Sequence, residues 1–290
     1  MSKINKQILI ILCFVFLFSV LTHSFTSINQ DIGRHLKLGE IIWSEKYIPK
    51  TNLFSFTQPD FPFINHHWLS EVIFHSVYRV SCLDKDLSFC ESGLKGIIIF
   101  KVILLLAVSW LLFKAVKDKN IISIFISFIF FVFILIERTE PRPEIFSYLF
   151  LAFYIFALLE SKYRQKHNFL WFLPLIQLLW VNSHIYFIIG PAIFLLFLID
   201  GFFSGRIGRK QILIFLLIAV VNLLNPNFLK GALYPLTVFN NYGYFVLFFL
   251  KKSISSRLNS KAALSAPVAN VLFEMKSVFL ITNSMPSSKS

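Results

Sequence analysis

Lys95-Gly96-Ile97-Ile98-Ile99-Phe100-Lys101-Val102-Ile103-Leu104-Leu105-Leu106-Ala107-Val108-Ser109-Trp110-Leu111-Leu112-Phe113 is the stretch that decides the fold. It shows no apolar–polar alternation, so it does not read as a half-buried strand. A helix of roughly 20 apolar residues crosses about 30 Å of hydrocarbon, and this run has that length. The same texture recurs outward in both directions. Gln7–Phe25 lies upstream, and Asn120–Ile136, Ile145–Leu159, Phe169–Val181, Ile185–Ile199, Gln211–Leu224 and Gly231–Leu250 lie downstream. Phenylalanine runs such as Phe128, Phe130, Phe131 and Phe133 suit a lipid-facing helix.

The whole chain agrees with its decisive stretch. Of 290 residues, 56% are hydrophobic and only 15% charged, with a mean hydropathy of +0.70. That composition excludes an ordinary soluble domain, whose surface must be wetted by polar groups. The expected fold class is all-α: a polytopic transmembrane helical bundle of about eight spans, some short. The short segments are expected to be tilted partners, half-helices or re-entrant elements lining a cavity.

Charge sets the expected topology. The formal net charge of +13 is spread over short connections rather than one patch, so nucleic acid is not an expected partner and lipid headgroups are. Basic clusters occur at Lys3/Lys6, Lys114/Lys117/Lys119, Lys162/Arg164/Lys166, Arg206/Arg209/Lys210 and Lys251/Lys252. Placing all five in the cytoplasm puts two crossings between each consecutive pair and the N-terminus inside. The outside pieces are then 26–93, 137–144, 182–184 and 225–230. The segment Gln7–Phe25 has the charged start of a signal peptide, but its length and the absence of a clear cleavage site favour a retained helix. The expected transmembrane domain covers 1–252, with a first extracytoplasmic loop at about 26–93 containing amphipathic helices and an uncharacterised tail at 253–290.

Polar residues at the outer helix ends are the candidates for function. In Asp31-Ile32-Gly33-Arg34-His35, helical spacing puts Asp31, Arg34 and His35 on one face, with Ile32, Leu36 and Leu38 free to rest on lipid. A carboxylate kept ionised by neighbouring cations can accept a proton from a hydroxyl or bind a metal ion; the plainer reading of the spacing is an interfacial amphipathic helix with a surface ion pair. His66-His67-Trp68-Leu69-Ser70-Glu71, continuing to His75, puts His67, Glu71 and His75 on one stripe. That spacing is compatible with a metal, though no cysteine supports it, and it also fits a plain solvated face. Glu137–Glu144 carries Arg138 and Arg142, either balancing its own carboxylates or binding a phosphate. Asn182, Ser183, His184 and Asn225 sit where spans reach the outer surface, as helix caps or as sugar or headgroup contacts. Lys101 is expected to snorkel outward. Cys82 and Cys90 could pair in an oxidising compartment or remain free thiols, and Cys13 reads as inert packing.

Asp31-Ile32-Gly33-Arg34-His35-Leu36 with Gly39, then Ile48-Pro49-Lys50-Thr51-Asn52-Leu53-Phe54-Ser55-Phe56, His67-Trp68-Leu69-Ser70-Glu71, Arg142-Pro143-Glu144 and Trp180-Val181-Asn182-Ser183-His184 together resemble bacterial GT-C membrane glycosyltransferases. Protein mannosyltransferases and the aminoarabinose transferases of lipid A belong to that group. The resemblance covers roughly residues 7–235. It implies a polyprenyl-phosphate sugar donor and transfer at the outer face of the cytoplasmic membrane. It also implies Asp31 as general base, Arg34 or Arg142 on the leaving phosphate, and His67, Glu71 and His184 as substrate contacts. No cofactor is implied, and a divalent metal is not indicated. Members of that group usually have more spans and often a soluble C-terminal domain, and many carry a second acidic residue where this chain has Ile32. The alternative is a non-catalytic polytopic protein, such as a lipid or solute carrier or an assembly partner, or an inactive fragment of a longer transferase.

Overall fold

The computed structural model describes residues 3–22, 30–58, 60–83, 90–116, 128–129, 131–132 and 140–241. Most of the expected span Asn120–Ile136, residues 137–139 and the tail from 253 lie outside them. The chain divides into two units, Met1–Leu236 and Thr237–Ser290, and the first carries nearly all that is described.

The described elements are helical, apart from a single antiparallel bridge between Thr51 and Pro62. In chain order they are α1 (Lys3–Leu21), α2 (Gln30–Glu45), α3 (Trp68–Ser81), α4 (Glu91–Val116) and α5 (Glu144–Arg164). A 3-10 turn (His167–Phe172) then leads into α6 (Leu173–Ser183), and a second (Ile185–Ile188) into α7 (Ile189–Phe203). α8 (Arg209–Val221) and α9 (Phe228–Asn241) follow. Among the described residues, three segments are long and apolar enough to cross a membrane: Glu91–Val116, Glu144–Arg164 and Ile185–Phe203. α1 contributes a shorter apolar stretch, Ile10–Leu21. Large apolar side chains such as Ile11, Ile103, Leu196 and Leu216 remain exposed on these helices, as lipid-facing residues do.

Both helices of the polar loop are amphipathic, and they pack on each other. On α2 the buried residues are Ile32, His35, Leu38, Gly39 and Ile42, a helical stripe. On α3 they are Ser70, Glu71, Phe74 and His75. Gly39 sets how closely the two approach. A Cβ there would stand 2.1 Å from the Glu71 carbonyl oxygen and 2.7 Å from His75 Cβ, so only glycine fits this contact. The expectation that Ile32 and Leu38 rest on lipid is therefore corrected: they are 7% and 3% exposed and buried within the protein.

α3 leans on α4, α4 on α5, and α6 lies against α3, α5 and α8. The main core joins Phe74, Phe146, Phe150, Tyr154, Trp180 and Phe194 across these helices. A smaller cluster joins Leu17 and Leu21 of α1 to Val102 and Leu105 of α4. α6, expected from Phe169–Val181 as a short span, has 11 residues, about 16 Å of rise. Leu173, Gln177, Trp180, Val181, Asn182 and Ser183 are buried on it, which makes it a half-helix embedded among longer ones. Lys101 also departs from expectation. It is 1% exposed, on the inward stripe of α4 with Ile97, Leu105 and Val108, rather than snorkelling outward.

Candidate functional site

One end of the bundle gathers four histidines from three parts of the chain: His35 from α2, His66 and His67 from the loop before α3, and His184 from the end of α6. The His67 ring lies 5.7 Å from His35, 4.0 Å from His66 and, stacked, 5.1 Å from His184. Tyr234 flanks His66 at 5.2 Å, and Tyr186 stands edge-on to His184 at 4.5 Å. His184 is 8% exposed and His35 3%.

Hydrogen bonds hold each ring in place. Glu71, 1% exposed, meets His35 Nδ1 at 3.0 Å through Oε1 and accepts from Asn65 Nδ2 at 2.6 Å through Oε2. Asn65 Oδ1 in turn accepts the His67 backbone N–H at 3.0 Å, fixing the entry to α3. Ser70 Oγ donates to the carbonyls of His67 and Ser183, and Trp68 Nε1 donates to Asn182 Oδ1 at 2.9 Å. Asn182 Nδ2 reaches the Leu224 carbonyl at 3.0 Å, tying the α6 end to the turn after α8.

These partners also fix which ring nitrogen carries the proton. A carbonyl can only accept, so the contacts of His66 Nδ1 with Ile64 O (3.1 Å) and His67 Nδ1 with Ser183 O (3.3 Å) require N–H at Nδ1. Each Nε2 is then a lone-pair acceptor in the neutral ring. Ser147 Oγ accepts from Trp180 Nε1 at 2.8 Å, and its own hydroxyl hydrogen is available to His184 Nδ1, also at 2.8 Å. With Ser147 as the donor in that bond, His184 Nε2 carries the N–H. Burial first, then the charges of Arg34 and His35, lowers His66 to about 4. Burial, then His66, His184 and His35, drives His67 well below its ordinary value, and burial, then His66 and His35, lowers His184 to about 3. All three are neutral imidazoles at pH 7.

A carboxylate lies one helical turn away. Asp31 precedes His35 by four residues on α2, and its Oδ2 stands 3.8 Å from an Arg142 guanidinium nitrogen. Asp31 and Arg142 are half-exposed, and Arg142 also binds Glu140 at 2.6 Å. Arg34 is exposed on α2, close enough to His66 to oppose its protonation.

The six residues singled out from sequence are thus linked at one end of the bundle. Arg142 meets Asp31, and Asp31 leads along α2 to Arg34 and His35. His35 joins Glu71 and His67, and His67 stacks on His184. Glu71, expected among the substrate contacts, has both oxygens engaged inside the protein. The stripe His67, Glu71, His75 does not converge, and among the described residues no three ligating side chains come close enough to hold a metal. His75 Nε2 is buried without a hydrogen-bond partner among the described residues. Cys82 and Cys90 form a disulfide. Sequence reading missed Ser147, Asn65 and Trp180 as the groups that orient the rings. Ser147 is the one with a usable signal, a hydroxyl at the entrance of an apolar helix.

No family model, no curated protein and no solved structure matches the chain.

Proposed function

We propose that the chain is a membrane glycosyltransferase of the GT-C kind. It takes a sugar from a polyprenyl-phosphate donor and passes it to an acceptor hydroxyl at the outer face of the cytoplasmic membrane, with about eight spans and a cytoplasmic N-terminus. The observation that carries this reading is the half-exposed Asp31 carboxylate beside Arg142, one turn from the histidine cluster. The Asp31 carboxylate takes the acceptor's hydroxyl proton, and the acceptor oxygen bonds to the anomeric carbon. The bond from that carbon to the phosphate oxygen breaks, and polyprenyl phosphate leaves. Arg142 and Arg34 steady the leaving phosphate, for which a guanidinium fork is well shaped. His67 Nε2 accepts from, and His184 Nε2–H donates to, sugar hydroxyls, while Glu71 acts as a positioning residue behind His35.

The test is turnover. The full chain in phospholipid vesicles is given labelled polyprenyl-phosphate sugars, and release of polyprenyl phosphate is followed together with acceptor glycosylation. Release above protein-free vesicles supports the reading. Failure with every donor, by chain shown to be folded, removes it.

A carrier is the second reading, favoured by one observation. Polar groups run through the bundle at buried Lys101 and from buried Tyr154 and Gln177 to half-buried Asn222, with bonds of 2.7 Å at each step of the second path. Ionisable and amide groups at membrane depth mark transport routes. A solute flux sensitive to Lys101 or Asn222 but indifferent to Asp31 would select it.

A further inference from the structure

The end of the bundle opposite the histidine cluster holds a second polar feature. α5 runs 21 residues from the turn carrying Arg142 to Arg164, about 30 Å at helical rise. There the 3-10 turn His167–Phe172 and the connection from α7 to α8 border an open cavity of about 570 Å³, within the usual range of small-ligand sites. Arg206, Arg209, Lys210, His167 and Trp171 line it. Gly205 takes a left-handed φ of +64°, which turns the chain so that these three cations follow within one tight connection. His167 is held by Ser161 Oγ at 2.8 Å.

Charge balance separates this cavity from the rest of that end. Lys162 is paired with Asp200 at 2.9 Å, Arg164 with Glu160, and Lys166 lies 4.0 Å from Glu160. Among the described residues, no carboxylate lines this cavity or forms an ion pair with Arg206, Arg209 or Lys210; Asp200, paired with Lys162, lines the smaller adjoining cavity that Arg206 also borders. Three cations around one concavity repel one another until an anion enters. The rim indicates where that anion comes from. Trp171 of the cavity lining, and Phe172, Phe202 and Phe203 close to lining residues along the chain, are 49%, 53%, 73% and 82% exposed, as aromatic side chains are at headgroup level. Leu170 and Ile214 add apolar wall for the start of an acyl chain. Basic pockets between membrane helices hold phosphorylated headgroups in this way.

We propose that this cavity binds the phosphate of an anionic ligand, supplied by a phospholipid headgroup from the adjoining leaflet.

The full chain is purified in detergent and titrated with phosphatidylglycerol or phosphatidylcholine while bound lipid is counted by native mass spectrometry; inorganic phosphate is titrated separately by calorimetry. The expected result is one phosphatidylglycerol per chain, bound at least about 10-fold more tightly than phosphatidylcholine. That preference is lost in Arg206→Gln/Arg209→Gln/Lys210→Gln and kept in Lys46→Gln/Lys50→Gln/Lys230→Gln. The charge-preserving Arg206→Lys/Arg209→Lys variant retains binding and guards against misfolding of the neutral one. Saturable inorganic phosphate binding lost in the same triple variant, without lipid preference, keeps the phosphate site and overturns its lipid source. Binding of both probes unchanged by the triple variant, or no binding of either, overturns the site.

Discussion

Replacing Glu71 by alanine removes the one group that serves both His35 and Asn65. The carboxylate is 1% exposed, and its two oxygens bond at 3.0 and 2.6 Å to side chains that are themselves 3% and 1% exposed. Neither partner has water to turn to after truncation. An orphaned buried donor costs about 1–3 kcal/mol, so two place the loss for Glu71→Ala at about 2–6 kcal/mol. The cost extends to the histidine cluster, because Asn65 Oδ1 holds the His67 backbone N–H. Glu71→Gln keeps the shape but offers one acceptor and one donor to two donors. One partner stays satisfied and the other faces an N–H, for a loss of about 1–3 kcal/mol. Denaturant unfolding in detergent micelles, followed by tryptophan fluorescence, measures both variants against the wild type. The order wild type, Gln, Ala in falling stability is expected. Both variants within about 0.5 kcal/mol of wild type would refute the claim that Glu71 anchors the site.

Two further outcomes follow from the same end of the molecule. Gly39→Ala brings a Cβ to 2.1 Å from the Glu71 carbonyl oxygen, which is backbone and cannot swing aside. α2 must shift, at a cost of about 1–3 kcal/mol, and the same unfolding assay should show it together with lost activity. His66 and His184 are neutral in the fold, with values lowered to about 4 and about 3, while the unfolded chain titrates them near 6.5. Below pH 6.5 the unfolded state therefore binds protons the folded state refuses. Stability is full above that pH and declines as pH falls through 6 and 5 towards 4, on the order of 1 kcal/mol per unit for each histidine. Unfolding measured from pH 8 to 4 should show this loss, and it should shrink in His184→Gln; a flat profile would contradict neutral burial.

Much of the architecture was legible because lipid imposes a blunt constraint. Glu91–Val116, Glu144–Arg164 and Ile185–Phe203 had to be long apolar runs, and they read as such. The helices in the polar loop were legible too, as amphipathic stretches. Direction was not. α4 is apolar on every side, so no periodicity told that the stripe of Ile97, Lys101, Leu105 and Val108 faces inward. α2 has a buried face, but lipid and α3 are equally apolar partners for Ile32 and Leu38. The candidate site was named residue by residue and not as a cluster. Its bonds join positions 36 apart for His35 and Glu71, 37 for Ser147 and His184, and 116 for His67 and Ser183. Local spacing carries no trace of such pairings. It pointed instead to the stripe of His67, Glu71 and His75, which the packing of α2 on α3 divides between a hydrogen-bond network and a buried contact.

Asp31→Asn tests the central claim most directly. The change keeps the side chain's shape, removes its capacity as a base, and falls on a half-exposed residue whose loss leaves the core untouched. Wild type and variant are compared in the same vesicles for release of polyprenyl phosphate, with unfolding midpoints measured in parallel. The account predicts sugar transfer reduced by about 10²-fold or more, the usual weight of a positioned general base, at unchanged stability. Transfer at the wild-type rate by a folded Asp31→Asn protein would contradict it.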